Sequence, residues 1–128
     1  MKNKVFTLAC VFIFALSQTL SGNEWKNDPS LSGKLKQGVR EIQVEAFRYG
    51  FKPTPIVVQQ GNKVRLLVKS VDSNHGMLIS EFRINEVLRK GETKIIEFTA
   101  DRKGMFEMRC SVYCGPGHAK MSGQLIVR

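Results

Sequence analysis

An all-β domain, a sandwich or barrel of short strands, is the fold this sequence predicts. Three observations carry the prediction: seven short segments of extended character, turn residues between them, and no convincing amphipathic helix among them. Many short strands at such spacing argue for two packed layers or a closed sheet, with antiparallel neighbours expected.

Taken in order, the segments are EIQVEAF (41–47), TPIVV (54–58), KVRLLVKS (63–70), GMLIS (76–80), TKIIEFT (93–99), GMFEMRC (104–110) and SGQLIVR (122–128). In the third, Val64, Leu66 and Val68 share one face while Arg65 and Lys69 point the other way, as a half-buried strand requires. Gly61 with Asn62, and Lys103 with Gly104, mark turns. In the sixth, Phe106, Met108 and Cys110 share a parity and face inward, and Glu107 and Arg109 face water. Cys110 therefore sits at the buried end of a strand.

The N-terminus says where such a domain works. Lys2 and Lys4 precede an apolar run, Val5 to Phe14, and Ala15, Leu16 and Ser17 follow where a signal peptidase cuts. Residues 1–22 read as a signal peptide or membrane anchor, with removal favoured because Ser17, Gln18, Thr19 and Ser21 dilute a run that a spanning helix keeps apolar for about 20 residues. Export to the periplasm, or to the outer face of the inner membrane, is the expected location. Cys10 leaves with the leader, so Cys110 and Cys114 are the thiols of the mature chain, in a compartment that permits disulfides. Residues 23–38 are polar, with Trp25, Leu31 and Leu35 as their sizeable apolar side chains, and read as a linker. Residues 39–128 are enough for one compact core. The formal net charge of +9 falls to +7 without Lys2 and Lys4, but basic residues never run beyond pairs such as Arg89, Lys90. No nucleic-acid motif accompanies them, and solvated faces explain them better.

The chemistry lies in CSVYCGPGHAKM, residues 110–121. Cys110, Cys114, His118 and Met121 have a spacing that lines up on a helix, but Gly115, Pro116 and Gly117 forbid one, since glycine costs about 1 and proline about 3 kcal/mol in a helix interior. The spacing belongs to a loop. Thiolate and imidazole together select copper, zinc or iron, and a thioether at the edge of the set leans toward copper. The other histidine, His75, stands just before the fourth segment, and a remote histidine with a C-terminal loop of Cys, His and Met is the constellation of cupredoxin copper sites. A Cys110–Cys114 disulfide leaves His118 and Met121 unexplained. A structural zinc site has no use for Met121. A mononuclear blue-copper site needs only His75, Cys114, His118 and Met121, so Cys110 discriminates. A thioredoxin-type copper-delivery protein carries its cysteines early, ahead of a helix.

The pattern Cys110, Cys114, His118, Met121 resembles the CuA signature of cytochrome c oxidase subunit II, and the likeness extends over about ninety residues, from Arg40 to Arg128. FKPTPIVVQQGNKVRLLVKSVDSNHGMLIS is similar to that family's strand, glycine turn, strand and ligand histidine in order, GETKIIEFTADRKGMFEMRCSVYCG is similar to its approach to the metal loop, and the chain is nearest the subunits with one N-terminal anchor. The resemblance implies a cupredoxin-like Greek-key β-sandwich or barrel. It implies two copper ions bridged by Cys110 and Cys114, each bound by one of His75 and His118, with Met121 a weak ligand and the main-chain carbonyl of Val112 a sixth. Many oxidases have glutamate at the Val112 position, reaching a magnesium site shared with the catalytic subunit; valine keeps the carbonyl and loses that link. The implied function is single-electron transfer, from a donor such as a c-type cytochrome to a haem-copper oxidase catalytic subunit that reduces oxygen, with no catalysis by this chain alone. A free periplasmic carrier and a copper store or delivery protein stand as alternatives. Phe47, Tyr49 and Phe51 with Pro53 and Pro55 suggest an electron-transfer surface, with core or turn packing the plainer reading. The family's tryptophan-rich patch has no equivalent here.

Overall fold

The computed structural model describes residue 28 and residues 30–128; the leader, Cys10 and Trp25 lie outside them. Ten strands form one sheet: β1 (Lys34–Lys36), β2 (Val39–Phe47), β3 (Gly50–Lys52), β4 (Ile56–Val58), β5 (Lys63–Ser70), β6 (His75–Ile79), β7 (Ile84–Leu88), β8 (Thr93–Thr99), β9 (Gly104–Arg109) and β10 (Ser122–Val127). Two single-turn 3₁₀ helices, Ser80–Phe82 and His118–Lys120, complete the described elements. The strands run in the order β7-β6-β9-β10-β3-β2-β5-β8, with β1 added to β2 and β4 to β10. The two ends of this path, β7 and β8, approach each other, so the sheet nearly closes into a barrel.

Alternation explains the strands found from sequence. Along β5, Val64, Leu66 and Val68 are buried, and they meet Ile42, Val44 and Ala46 of the neighbouring β2 in one core. Met108 of β9 and Leu125 and Val127 of β10 fill the opposite wall. The rings of Phe82, Phe98 and Phe106 close one side, with Phe82 about 5.0 Å from each of the other two centroids. Gly61, at φ +88°, makes the turn into β5 that its sequence announces.

Three expectations need correction. Neighbours are not all antiparallel: β2 and β5 run parallel over eight paired positions, and β10 runs parallel to β3 and β4. The reason is connectivity, since the chain turns back through β3, crosses to β10 through β4, and starts β5 from the pole where β2 began. Strands β3 and β7 went unread, being short and, in INEVL, interrupted by Asn85 and Glu86. The described part of the stretch read as linker is built into the sheet. Lys34–Lys36 pairs with Val39–Glu41, Leu31 is buried, and the Ser32 amide donates to the Val57 carbonyl at 2.7 Å.

Arg40 enters the core at this end. Its Nε donates to Asn62 Oδ1 at 2.9 Å and its Nη1 to the Ser32 carbonyl at 3.1 Å, so a buried guanidinium joins β2, the Gly61 turn and the segment before β1.

Candidate metal centre

The opposite pole carries the sulfur and imidazole groups. Strand β6 lies antiparallel to β9 with Leu78 opposite Arg109, so the start of β6 falls beside the chain leaving β9. That register brings His75 to Cys110. The loop from Cys110 is closed at its base by the last β9–β10 pair, Arg109 opposite Ser122, and by the Cys110 amide donating to the Met121 carbonyl at 3.2 Å. Its last turn is the 3₁₀ helix that His118 opens.

Both thiols are free and buried, their sulfurs 3.7 Å apart. His75 Nδ1 stands 4.0 Å from Cys110 Sγ, and His118 Nδ1 stands 3.7 Å from Cys114 Sγ. Met121 Sδ is 3.7 Å from Cys114 Sγ. The Val112 carbonyl accepts from the Cys110 thiol at 3.0 Å, which puts its oxygen at the sulfur pair. His75, Cys110 and Cys114 offer ligand atoms that all lie within 4.8 Å of one another. The six candidate ligands, His75, Cys110, Val112, Cys114, His118 and Met121, are thus brought to one place. Two atoms bound to one ion at about 2.0–2.3 Å stand at most about 4.6 Å apart, and each of the four separations between ligand atoms falls inside that limit. Soft sulfur beside imidazole fits copper.

The surroundings fix the donors. Asp72 Oδ1 lies 2.8 Å from His75 Nε2, which sets the ring and leaves Nδ1 facing the sulfur. Burial alone raises the Asp72 pKa, but the Arg48 amide and the His75 ring hydrogen-bond its oxygens and hold it below the usual carboxylate range. The Gly76 amide points at Cys110 Sγ from 3.4 Å. Arg48 Nε donates to the Cys114 carbonyl at 2.7 Å and its Nη2 to Ser73 Oγ at 3.2 Å, tying the sulfur loop to the loop before His75. Burial, then the neighbouring Cys110, pushes the Cys114 thiol up to about 11.

Sequence reasoning missed Asp72, Gly76 and Arg48. A carboxylate three residues before a candidate ligand histidine was a usable signal for Asp72. A Cβ on Gly76 would stand 2.1 Å from Ser111 Oγ and 2.9 Å from the backbone nitrogens of Ser111 and Val112, a requirement visible only once β6 and the loop are paired. Nothing in the sequence marks Arg48. Of the aromatics ahead of the second predicted strand, Phe51 is buried in the core, and Tyr49 packs against the loop, where a Cβ on Gly117 would meet its ring at 2.4 Å.

The comparisons agree with this picture. Cytochrome c oxidase subunit 2 of Thermus thermophilus is 34% identical over 87 residues, 68% of this chain, and the match spans 64% of that relative, just under two thirds of its length. Among solved structures, a chain of a haem-copper terminal oxidase dimer superposes with a TM-score of 0.65 at 26% identity, covering 80% of this chain and 74% of that one. A copper binding protein solved in its apo form superposes with a TM-score of 0.61 at 25% identity, covering 76% of this chain and 95% of that one. The Cupredoxin-like domain family matches residues 6–127, and with the barrel and the pole just described, the chain belongs to that family.

Proposed function

We propose that this chain is a copper-binding electron-transfer domain whose pole holds two copper ions in a CuA-type centre, and that it serves a haem-copper oxidase as subunit II or a close equivalent. One observation carries the reading: two free sulfurs stand 3.7 Å apart, and each is approached by a different imidazole, His75 at Cys110 and His118 at Cys114. A single ion needs one such thiolate; a pair of ions uses both. The likeness to oxidase subunit 2 supports the same assignment.

Two copper ions held by Cys110, Cys114, His75 and His118 would supply one-electron redox chemistry at this pole. The chain's own residues keep the donors still while that happens. Asp72 holds the His75 ring, the Gly76 amide points at the Cys110 sulfur, Arg48 pins the Cys114 carbonyl, and the β9–β10 ladder fixes both ends of the loop. Donors fixed before the metal arrives leave little to reorganise when charge changes. His75 is fully buried and His118 is half-buried, so His118 offers the imidazole edge nearest a partner. On this reading the domain works on the exported side, takes electrons from a carrier such as a c-type cytochrome, and passes them to the oxygen-reducing subunit.

A mononuclear blue-copper carrier is the second reading, favoured by the gathering of His118 and Met121 on Cys114 at 3.7 Å each. Electron paramagnetic resonance with metal counting separates the two. Two coppers per chain with a seven-line pattern are expected; one copper with four lines moves the protein to the blue-copper class. Mass spectrometry of the mature N-terminus distinguishes a free carrier from an anchored subunit, and loss of copper to an acceptor identifies a store.

A further inference from the structure

Three large apolar side chains that stay in water share the pole of the metal centre. Tyr113 is 74% exposed and lies against the His118 ring, with centroids 5.7 Å apart. Tyr49 leans on Gly115 and Gly117 and keeps an open edge. Val71, directly before the Asp72 that holds His75, is exposed at the same pole. Tyr113 and Tyr49 together flank His118 on its outward side.

The charges around this patch are mostly of one sign. Arg48 is bonded to the Cys114 carbonyl, and Lys120 ends the helical turn that His118 begins. Lys90, whose amide donates to Asn74 Oδ1 next to His75, brings Arg89 with it to the same rim. All four are exposed. On the loop segments that carry these residues, Asp72 is occupied by His75 and the Arg48 amide, and Glu92, in the turn after Lys90, is the other carboxylate.

An apolar centre with a charged rim is the anatomy of a transient protein interface, and the rim selects the sign of the partner. We propose that this pole is the docking face for an acidic electron-transfer protein, whose carboxylates meet the Arg48, Arg89, Lys90 and Lys120 rim while an apolar patch covers Tyr113. The inference rests on the electron-transfer reading and adds the chemistry of the partner. A basic cytochrome meets like charge on this face, which slows its encounter.

The test is a titration of the isotope-labelled full chain, its copper content measured, with two c-type cytochromes of one fold, one acidic and one basic, followed by amide shifts. The acidic cytochrome is expected to bind, with shifts confined to residues 48–49, 71–74, 89–92 and 112–120 and affinity falling about tenfold from low to physiological salt. Joint reversal by Lys90→Glu and Lys120→Glu is expected to weaken binding about tenfold, and a matched reversal at the far pole, Arg102→Glu with Lys103→Glu, less than about twofold. Equal or tighter binding of the basic cytochrome, shifts elsewhere, or equal effects of the two reversals overturns the proposal. Binding with these signatures by a chain that retains no copper supports the docking face while removing the electron-transfer reading, so the two fail separately.

Discussion

The two halves of the metal pole are built by different means. His75 begins a strand, is fully buried, and is held by a carboxylate; Cys110 follows directly on another strand. Cys114 and His118 hang on a loop, and the half-buried His118 ring lies between Cys114 Sγ and the exposed Tyr113, with no carboxylate among its partners in the described residues. The sheet guarantees the first half by register, and the second half depends on the loop folding onto the first. Rigidity and access are thereby divided: one side holds position, the other lies open to solvent.

Several substitutions break or sharpen this contrast. The largest effect is expected from Cys110→Ser, which removes the sulfur that follows β9: on the proposed two-copper reading, copper content falls from two to at most one per chain and seven resonance lines give way to four, read by metal analysis and paramagnetic resonance. Gly76→Ala comes next, since the new Cβ collides with Ser111 Oγ at 2.1 Å and with backbone on the facing loop. A loss of about 1–3 kcal/mol in urea unfolding and weaker copper retention are expected. Asp72→Asn keeps the shape but weakens the grip on His75, and copper affinity measured by chelator competition is expected to fall about 10–100-fold.

Smaller still is a pH effect on the copper-free protein. Folding raises the Cys114 thiol from 9.0 to about 11, so the folded state holds the proton more tightly than the unfolded chain. The stability this contributes is complete below about 9 and is lost as pH rises through about 11; Cys114→Ser abolishes that dependence in denaturation curves. Smallest is Tyr113→Ala on the open side, expected to change stability by less than about 0.5 kcal/mol. A larger loss there means that the ring is a structural prop and not a surface group.

What the sequence disclosed follows the same division. Alternation located β5 and β8 to the residue, and the inward parity of Phe106, Met108 and Cys110 is seen in the burial of Met108 and Cys110 beside exposed Glu107 and Arg109. Residue types and spacing singled out His75, Cys110, Cys114, His118 and Met121, which the fold gathers at one pole, because soft metals limit the choice of side chain. Long-range pairing was the part out of reach. Parallel β2–β5 neighbours, the Lys34–Lys36 strand, Asp72 as the partner of His75 and Arg48 at the Cys114 carbonyl all depend on which segments lie side by side, and no local pattern encodes that.

The closure at the base of the loop has a consequence for descent. Because Arg109 faces Ser122 and the Cys110 amide meets the Met121 carbonyl, insertions or deletions between those points leave the register of both strands untouched. The scaffold and its cargo can therefore be inherited separately: a lineage can exchange one short contiguous stretch and acquire a different metal while the remote imidazole waits unchanged on its strand.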